Sequence, residues 1–349
     1  MTKTILQTVL GVGLLAAPLG PLAPEAAAQD KPGTTAAPFL LIGTDARGAA
    51  MGSAQTAVAQ GAAALHWNPA GIASAGDLSG GGAVFSTQEW LLPETQHSFA
   101  GVTLNAGTLG TIGVSVATMD YGEERVTTIE FPDGTGELYA ATDLAVGVTL
   151  ARALTERFSI GATGKVVRQQ LWNESATTAA LDLGVRYATD FQGIVLGATM
   201  TNFGGDMRLS GRDLLRRIDN DPDRTGDNDN LPAAFEVDEW PLPLAFRVGI
   251  SAMPVQAGDL SLMVSAEGLA PSDNSQSANF GGEAAWRDLL FVRGGYRQAF
   301  SGEGSDGGWS AGFGLAYDIS SDLGLQFDYV FQEYEPFGTP QMFSLGVTF

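Results

Sequence analysis

Few of the residues that usually carry chemistry are present, and their spacing narrows what they could do. The chain has two histidines, His66 and His97, and no cysteine, which removes disulfides and thiolate metal sites from consideration. No nucleophile elbow or metal-ligand spacing accompanies either histidine, and the glycines lack a strand–GxGxxG–helix context. Enzyme chemistry, nucleotide binding and cofactors are therefore not indicated. One acidic run, from Asp219 to Asn230, sets Asp219, Asp221, Asp223, Asp227 and Asp229 at the two-residue spacing of hard oxygen ligands for calcium. It lacks the closing bidentate Glu of an EF-hand loop, so a solvated acidic loop is the favoured reading and a weak calcium site the alternative.

A second set of charges falls at alternate positions inside otherwise weakly polar segments: Lys165, Asp182, Arg186, Arg247, Glu267, Glu283, Arg287, Arg293, Arg297 and Asp328. Such a set could form an ion pathway. Because its signs are mixed, it more readily pairs across an enclosed space.

The segments that carry these charges have a period of two. Leu323, Leu325, Phe327, Tyr329 and Phe331 alternate with Gly324, Gln326, Asp328 and Gln332. The same phase recurs in Leu144-Val146-Val148-Leu150, in Leu181-Leu183-Val185-Tyr187 and in Leu244-Phe246-Val248-Ile250. Strands with one apolar face follow. The opposite face is mostly Gly, Ser, Thr and Ala, which suits a narrow barrel interior with the large apolar set turned to lipid. The expected fold is all-β: a transmembrane outer-membrane barrel of about 14 antiparallel strands with a small N-terminal helical hatch.

The strands are expected at 78–86, 95–105, 109–119, 141–152, 157–170, 178–188, 192–203, 243–252, 259–269, 277–287, 289–299, 308–318, 322–332 and 341–349. Tight connectors such as Thr155-Glu156, Thr189-Asp190 and Asp288 alternate with the long ones at 120–140, 204–242, 300–307 and 333–340, as periplasmic turns alternate with outer loops. Trp90, Trp172, Trp240, Trp286 and Tyr334 sit where interface girdles would lie. Within the longest connector, Asp213 to Ile218 could form one amphipathic turn at the barrel mouth.

The N-terminus has Lys3, an apolar core from Ile5 to Leu19 and Ala26-Ala27-Ala28, the pattern of a secretory signal peptide over 1–28. A single membrane anchor is the blander alternative, disfavoured by the short core. The formal net charge is −21, unchanged by loss of the one Lys and one Glu in that peptide, and clustered basic residues for nucleic acid are lacking. Residues 29–77 are expected to form the hatch and 78–349 the barrel. Within the hatch, a helix-compatible run from Ala57 to Leu65 should stop at Trp67-Asn68-Pro69, because Pro69 holds Asn68 extended and lacks an N–H.

The run G-T-D-A-R-G-A-A-M-G-S-A from Gly43 to Ala54, followed by A-L-H-W-N-P-A-G-I-A from Ala64 to Ala73, resembles the N-terminal signature of the PorV/PorQ family. That family belongs to the FadL-type superfamily of 14-stranded outer-membrane barrels. The Asn68–Gly71 element is shared with hydrophobic-compound channels of the superfamily, while the run through Asp45, Arg47, Met51 and Gly52 points to the PorV/PorQ branch. The resemblance implies that Asp45 and Arg47 lock the hatch, unless both merely satisfy backbone groups at a turn. It also implies that Asn68, flanked by Trp67, Pro69, Ala70 and Gly71, clamps the hatch to the wall. The closing Phe349 is similar to the C-terminal signature that the barrel-insertion machinery reads. Partners implied are outer-membrane lipids and either secretion-system subunits with exported proteins bearing C-terminal sorting domains, or hydrophobic small molecules taken up through the lumen.

Overall fold

A computed structural model describes residues 33–73, 80–191, 193–219, 230–301, 307–334 and 337–349. The expected signal peptide lies outside them.

Among the described residues, fourteen antiparallel strands close into a ring: β1 (Gly81–Glu89), β2 (Gln96–Asn105), β3 (Thr111–Arg125), β4 (Leu138–Ala153), β5 (Phe158–Leu171), β6 (Glu174–Ala188) and β7 (Val195–Gly204), then β11 (Ala245–Ala257), β12 (Leu260–Pro271), β13 (Ser277–Trp286), β14 (Leu290–Ala299), β15 (Gly308–Asp318), β16 (Gly324–Gln332) and β17 (Gln341–Thr348). Three short strands, β8 (Ser210–Gly211), β9 (Leu215–Ile218) and β10 (Leu231–Ala234), belong to the connection between β7 and β11. Each strand of the ring pairs with its sequence neighbour, and β1 meets β17 in register from Gly82↔Thr348 to Gln88↔Met342. Closure leaves no edge of unpaired N–H and C=O groups, the condition for strands to cross hydrocarbon.

The faces follow the alternation. On β4, Leu144, Val146, Val148 and Leu150 are exposed, while Asp143, Ala145 and Thr149 between them are buried. On β6, Leu181, Leu183, Val185 and Tyr187 are exposed and Asp182 is buried. The buried core is therefore the lumen, filled by residues 33–73. An upper apolar cluster holds Phe39 and Leu40 against Met119, Val167 and Leu242, and a lower one holds Leu65, Trp67 and Ile72 against Phe99 and Ala151.

Several sequence expectations need correction. β3 and β4 run to Arg125 and from Leu138, so much of the supposed loop at 120–140 is a two-stranded extension; Gly122 at φ 76° and a bulge between Asp120 and Glu123 keep the pair twisting. Asp213–Ile218 is not an amphipathic helical turn. Only Arg212–Leu214 coils, and Leu215–Ile218 pairs with Leu231–Ala234 as a hairpin. The helical run expected from Ala57 begins only at Gly61, which sits at φ 63° and starts a separate turn, and it ends at Trp67 ahead of Asn68-Pro69 as expected. Trp90 is half-buried and stacks edge-on against Tyr334 at the outer mouth instead of joining a girdle, while Trp172 and Trp286 are exposed at opposite ends of the barrel.

The facing of β4 gives a direct test. Val146→Arg on the lipid side should lower the unfolding free energy in bilayers or detergent by about 2–4 kcal/mol if the position lies near the midplane. Denaturant titration of the wild type and V146R barrels measures the difference.

Candidate functional site

The hatch is a string of short turns because its sequence is nearly all small residues with polar caps. Asp45 is the N-cap of Ala46–Ala50, its Oδ1 accepting from the Gly48 N–H at 2.8 Å. Its other oxygen accepts from the Trp67 indole N–H, tying the first hatch motif to the second across 22 residues of chain. Burial raises the Asp45 carboxyl above its ordinary value; the indole, the Gly48 amide and Arg47 pull the other way. Arg47 instead reaches the wall, with Nε 2.8 Å and Nη2 2.9 Å from the two carboxylate oxygens of Glu283 on β13. Such a fork-to-carboxylate pair fixes orientation as well as charge. The two charges of the motif thus divide the work: Asp45 organises the hatch internally, and Arg47 fastens it to the barrel.

Asn68 makes three hydrogen bonds. Its Oδ1 accepts from Ala70 N–H at 3.0 Å, and its Nδ2 donates to the Thr56 carbonyl at 2.7 Å and to the Val185 carbonyl of β6 at 3.1 Å. The clamp is therefore both a cap for Pro69–Ile72 and a bond to the wall.

What lets the hatch backbone touch the wall is glycine at inward positions. Gly161 and Gly184 face each other across β5 and β6. A Cβ on Gly161 would stand 2.5 Å from the Pro69 oxygen, and one on Gly184 2.9 Å from Pro69 Cδ. On the far side, a Cβ on Gly281 of β13 would meet Met51 Cβ at 2.8 Å, and one on Gly295 of β14 would meet Gly52 Cα at 2.7 Å. Gly52 itself has φ 62°, which a side chain rarely adopts. Inward hydroxyls complete the seat: Ser310 Oγ donates to Ala50 O at 3.0 Å, Ser344 Oγ accepts from Ala46 N at 3.2 Å, and Ser86 Oγ donates to Thr44 O. Sequence reasoning did not single out these glycines and serines, although their inward phase within the strands was visible.

The lumen charges come together in pairs. Lys165 Nζ lies 2.8 Å from Asp182 Oδ2. Arg293 is shared between Glu283 and Asp328 at 2.5 Å each, making a four-member chain with Arg47. Arg247 is 3.8 Å from Glu267, whose Oε2 also accepts the hatch amides of Gln55 (3.1 Å) and Thr56 (2.9 Å). Arg186 points Nε toward Ala57 O at 3.4 Å, and Arg297 lies under the Tyr334 ring with Nη2 2.7 Å from Glu333 O. Arg287 is not a lumen residue. It sits in the turn after β13 at φ 56°, exposed, where its Nε meets Asp259 at 2.9 Å and its guanidinium covers the Trp286 ring. The reversal of the chain there turns position 287 off the strand's alternation.

Asp219 is exposed, and Asp221, Asp223, Asp227 and Asp229 lie outside the described residues. Phe349 closes the barrel seam, its N–H donating to Gly81 O at 3.0 Å and its carbonyl accepting from Gly81 N at 2.6 Å.

Between the two apolar clusters remains a cavity of about 40 Å³, bordered by Phe39, Leu65, His66, Lys165, Thr201 and Arg247.

A closed ring of lipid-facing strands around a folded hatch defines an outer-membrane β-barrel. The profile of the family described as type IX secretion system protein PorV matches residues 25–235, and the chain belongs to that family. No curated protein matches it significantly. Among solved structures, it is similar to a Pseudomonas aeruginosa FadL homologue (13% identity, TM-score 0.54, covering 88% of this chain and 98% of that one). It is also similar to the Pseudomonas putida toluene transporter TodX (15% identity, TM-score 0.53, covering 87% and 97%) and to the CymD monoaromatic hydrocarbon channel (12%, 0.53, 88% and 98%). At these identities the likeness is one of fold.

Two outcomes test the seat. Asn68→Ala removes three hydrogen bonds and should lower protection of hatch amides by about 1–3 kcal/mol, read by hydrogen exchange. The His66 imidazole is held well below its usual value, by burial first and then by Arg247 and Lys165. The unfolded chain therefore binds a proton that the folded hatch refuses. The contribution is complete above the unfolded value near ~6.5 and is lost as pH falls through it, by up to about 1.4 kcal/mol per pH unit. Hatch protection measured from pH 8 to pH 5 should fall in the wild type, and less in His66→Gln.

Proposed function

We propose that this barrel is a type IX secretion-associated receptor or shuttle, holding exported proteins with C-terminal sorting domains on its outer loops while its lumen stays shut. Membership of the PorV family supports the system, and the fastening of the hatch to the wall at Arg47–Glu283 and Asn68–Val185 supports the mode. A solute pathway needs continuous apolar space beside the hatch, yet the cavity between the two apolar clusters is about 40 Å³, and the larger space of about 670 Å³ between Gln60–Ala63 of the hatch and β1, β16 and β17 is bordered by Asp45, Arg47, Asp318 and Asp328. Pockets for small molecules usually run to several hundred Å³ with mainly apolar linings.

The outer loops, in contrast, present large apolar side chains to solvent. Ile129 and Phe131 extend between β3 and β4, Leu215 and Phe235 lie on or beside the β9–β10 hairpin, and Phe300 and Phe337 cap neighbouring loops. Exposed apolar residues ringed by polar ones are the usual mark of a protein-binding surface. No step of this function calls on catalysis or a cofactor. Phe349 would act earlier, as the residue that the barrel-insertion machinery reads.

The alternative is uptake of hydrophobic small molecules, the activity named for TodX and CymD. Affinity purification from native membranes separates the two. Recovery of exported proteins or secretion subunits, reduced at least tenfold by the double change Leu215→Asp and Phe235→Asp, is the expected result. Recovery of bound lipid-like solutes with no protein partner would overturn the proposal.

A further inference from the structure

The small cavity at the centre of the lumen is bordered by two cations and by buried polar atoms without hydrogen-bond partners among the described residues. Both oxygens of Asp182 are committed: Oδ2 to Lys165 at 2.8 Å and Oδ1 to the Asn202 N–H at 2.7 Å. Asn202 Oδ1 takes a second proton of Lys165 at 2.5 Å, and its amide nitrogen is spent on Pro243 O at 2.9 Å. The hydroxyls of Thr149 and Thr163 bond to each other at 2.7 Å.

The donors are less well served. Arg247 is 5% exposed, and its nearest carboxylate, Glu267, stands 3.8 Å from its Nε, beyond hydrogen-bond distance. Glu267 cannot move closer freely, because its Oε2 holds the Gln55 and Thr56 amides of the hatch. Thr44 Oγ1, Thr201 Oγ1 and His66 Nε2 are buried and without a partner among the described residues, as is Glu267 Oε1 on the far side of Arg247. Thr44, His66, Lys165, Thr201 and Arg247 border the same cavity, whereas Glu267 does not. Arg247 thus has its carboxylate only at ion-pair distance and lies beside buried polar atoms that a further acceptor in the cavity would satisfy.

We propose that this cavity is a binding site for a small monovalent anion of halide size. Arg247 and the third proton of Lys165 hold it, the Thr201 hydroxyl and the His66 Nε2–H complete the shell, and Phe39 and Leu65 exclude bulk water. A volume of about 40 Å³ accepts such an ion with one or two waters and no organic ligand. Because the shell joins β5, β7 and β11 to hatch residue His66, the anion ties hatch to wall. The site does not depend on the role proposed for the outer loops.

The test is a crystal of the purified full barrel grown in bromide. An anomalous peak inside the cavity is expected in the wild type and should be absent in Arg247→Gln. Thr201→Val, which leaves both cations in place, should weaken the peak if R247Q fails to fold. A cavity containing only water density in bromide overturns the proposal. The thermal midpoint should be higher in chloride than in gluconate at equal ionic strength, with the difference lost in either variant. Equal wild-type midpoints in the two salts would likewise contradict it.

Discussion

The hatch can fill this barrel only because its backbone approaches the wall more closely than any side chain would allow. Gly161 and Gly184 on one side, and Gly281 and Gly295 on the other, leave room for Asn68–Pro69 and Met51–Gly52 to lie directly on the strands. At that distance, carbonyls and amides of the hatch come within reach of Ser86, Ser310, Ser344 and Glu267. The polar groups of an irregular segment, which hydrocarbon could not satisfy, are satisfied inside the ring. The alternation that turns bulk outward to lipid therefore also makes the lumen small enough for a short segment to plug.

Charge follows the same geometry. Arg47, Glu283, Arg293 and Asp328 form one chain from hatch to wall, and each of the two carboxylates has a guanidinium within hydrogen-bond distance. Breaking one member would leave the others buried and uncompensated, which is more costly than the net worth of any single pair. The hatch is thus held by three apolar clusters, the third setting Ala46, Ala49 and Ala50 against Val330 and Met342, by backbone contacts on glycine, and by a charge network that resists partial release.

Much of this was legible in the sequence because the bilayer imposes a simple code. A lipid-facing strand cannot hide its period of two, so β4, β6 and β15–β17 stood out in the correct phase. The hatch motif stood out because Asp45, Arg47 and Asn68-Pro69 interrupt a field of alanine and glycine. The extension of β3 and β4 beyond the membrane was missed, since strands above the bilayer need no apolar face and Asp120 to Arg125 read as loop. Arg287 was misplaced because a turn resets the alternation. The glycine seat was hidden by abundance: among 46 glycines, only the fold shows which ones face the hatch.

The central claim is that hatch and wall together close the lumen, and ion flow tests it most directly. Purified barrel inserted into planar bilayers should show no steady conductance, because the charge chain from Arg47 to Asp328 and the backbone-on-glycine contacts hold the hatch across the lumen. A stable, ohmic current from single inserted wild-type barrels would contradict the account.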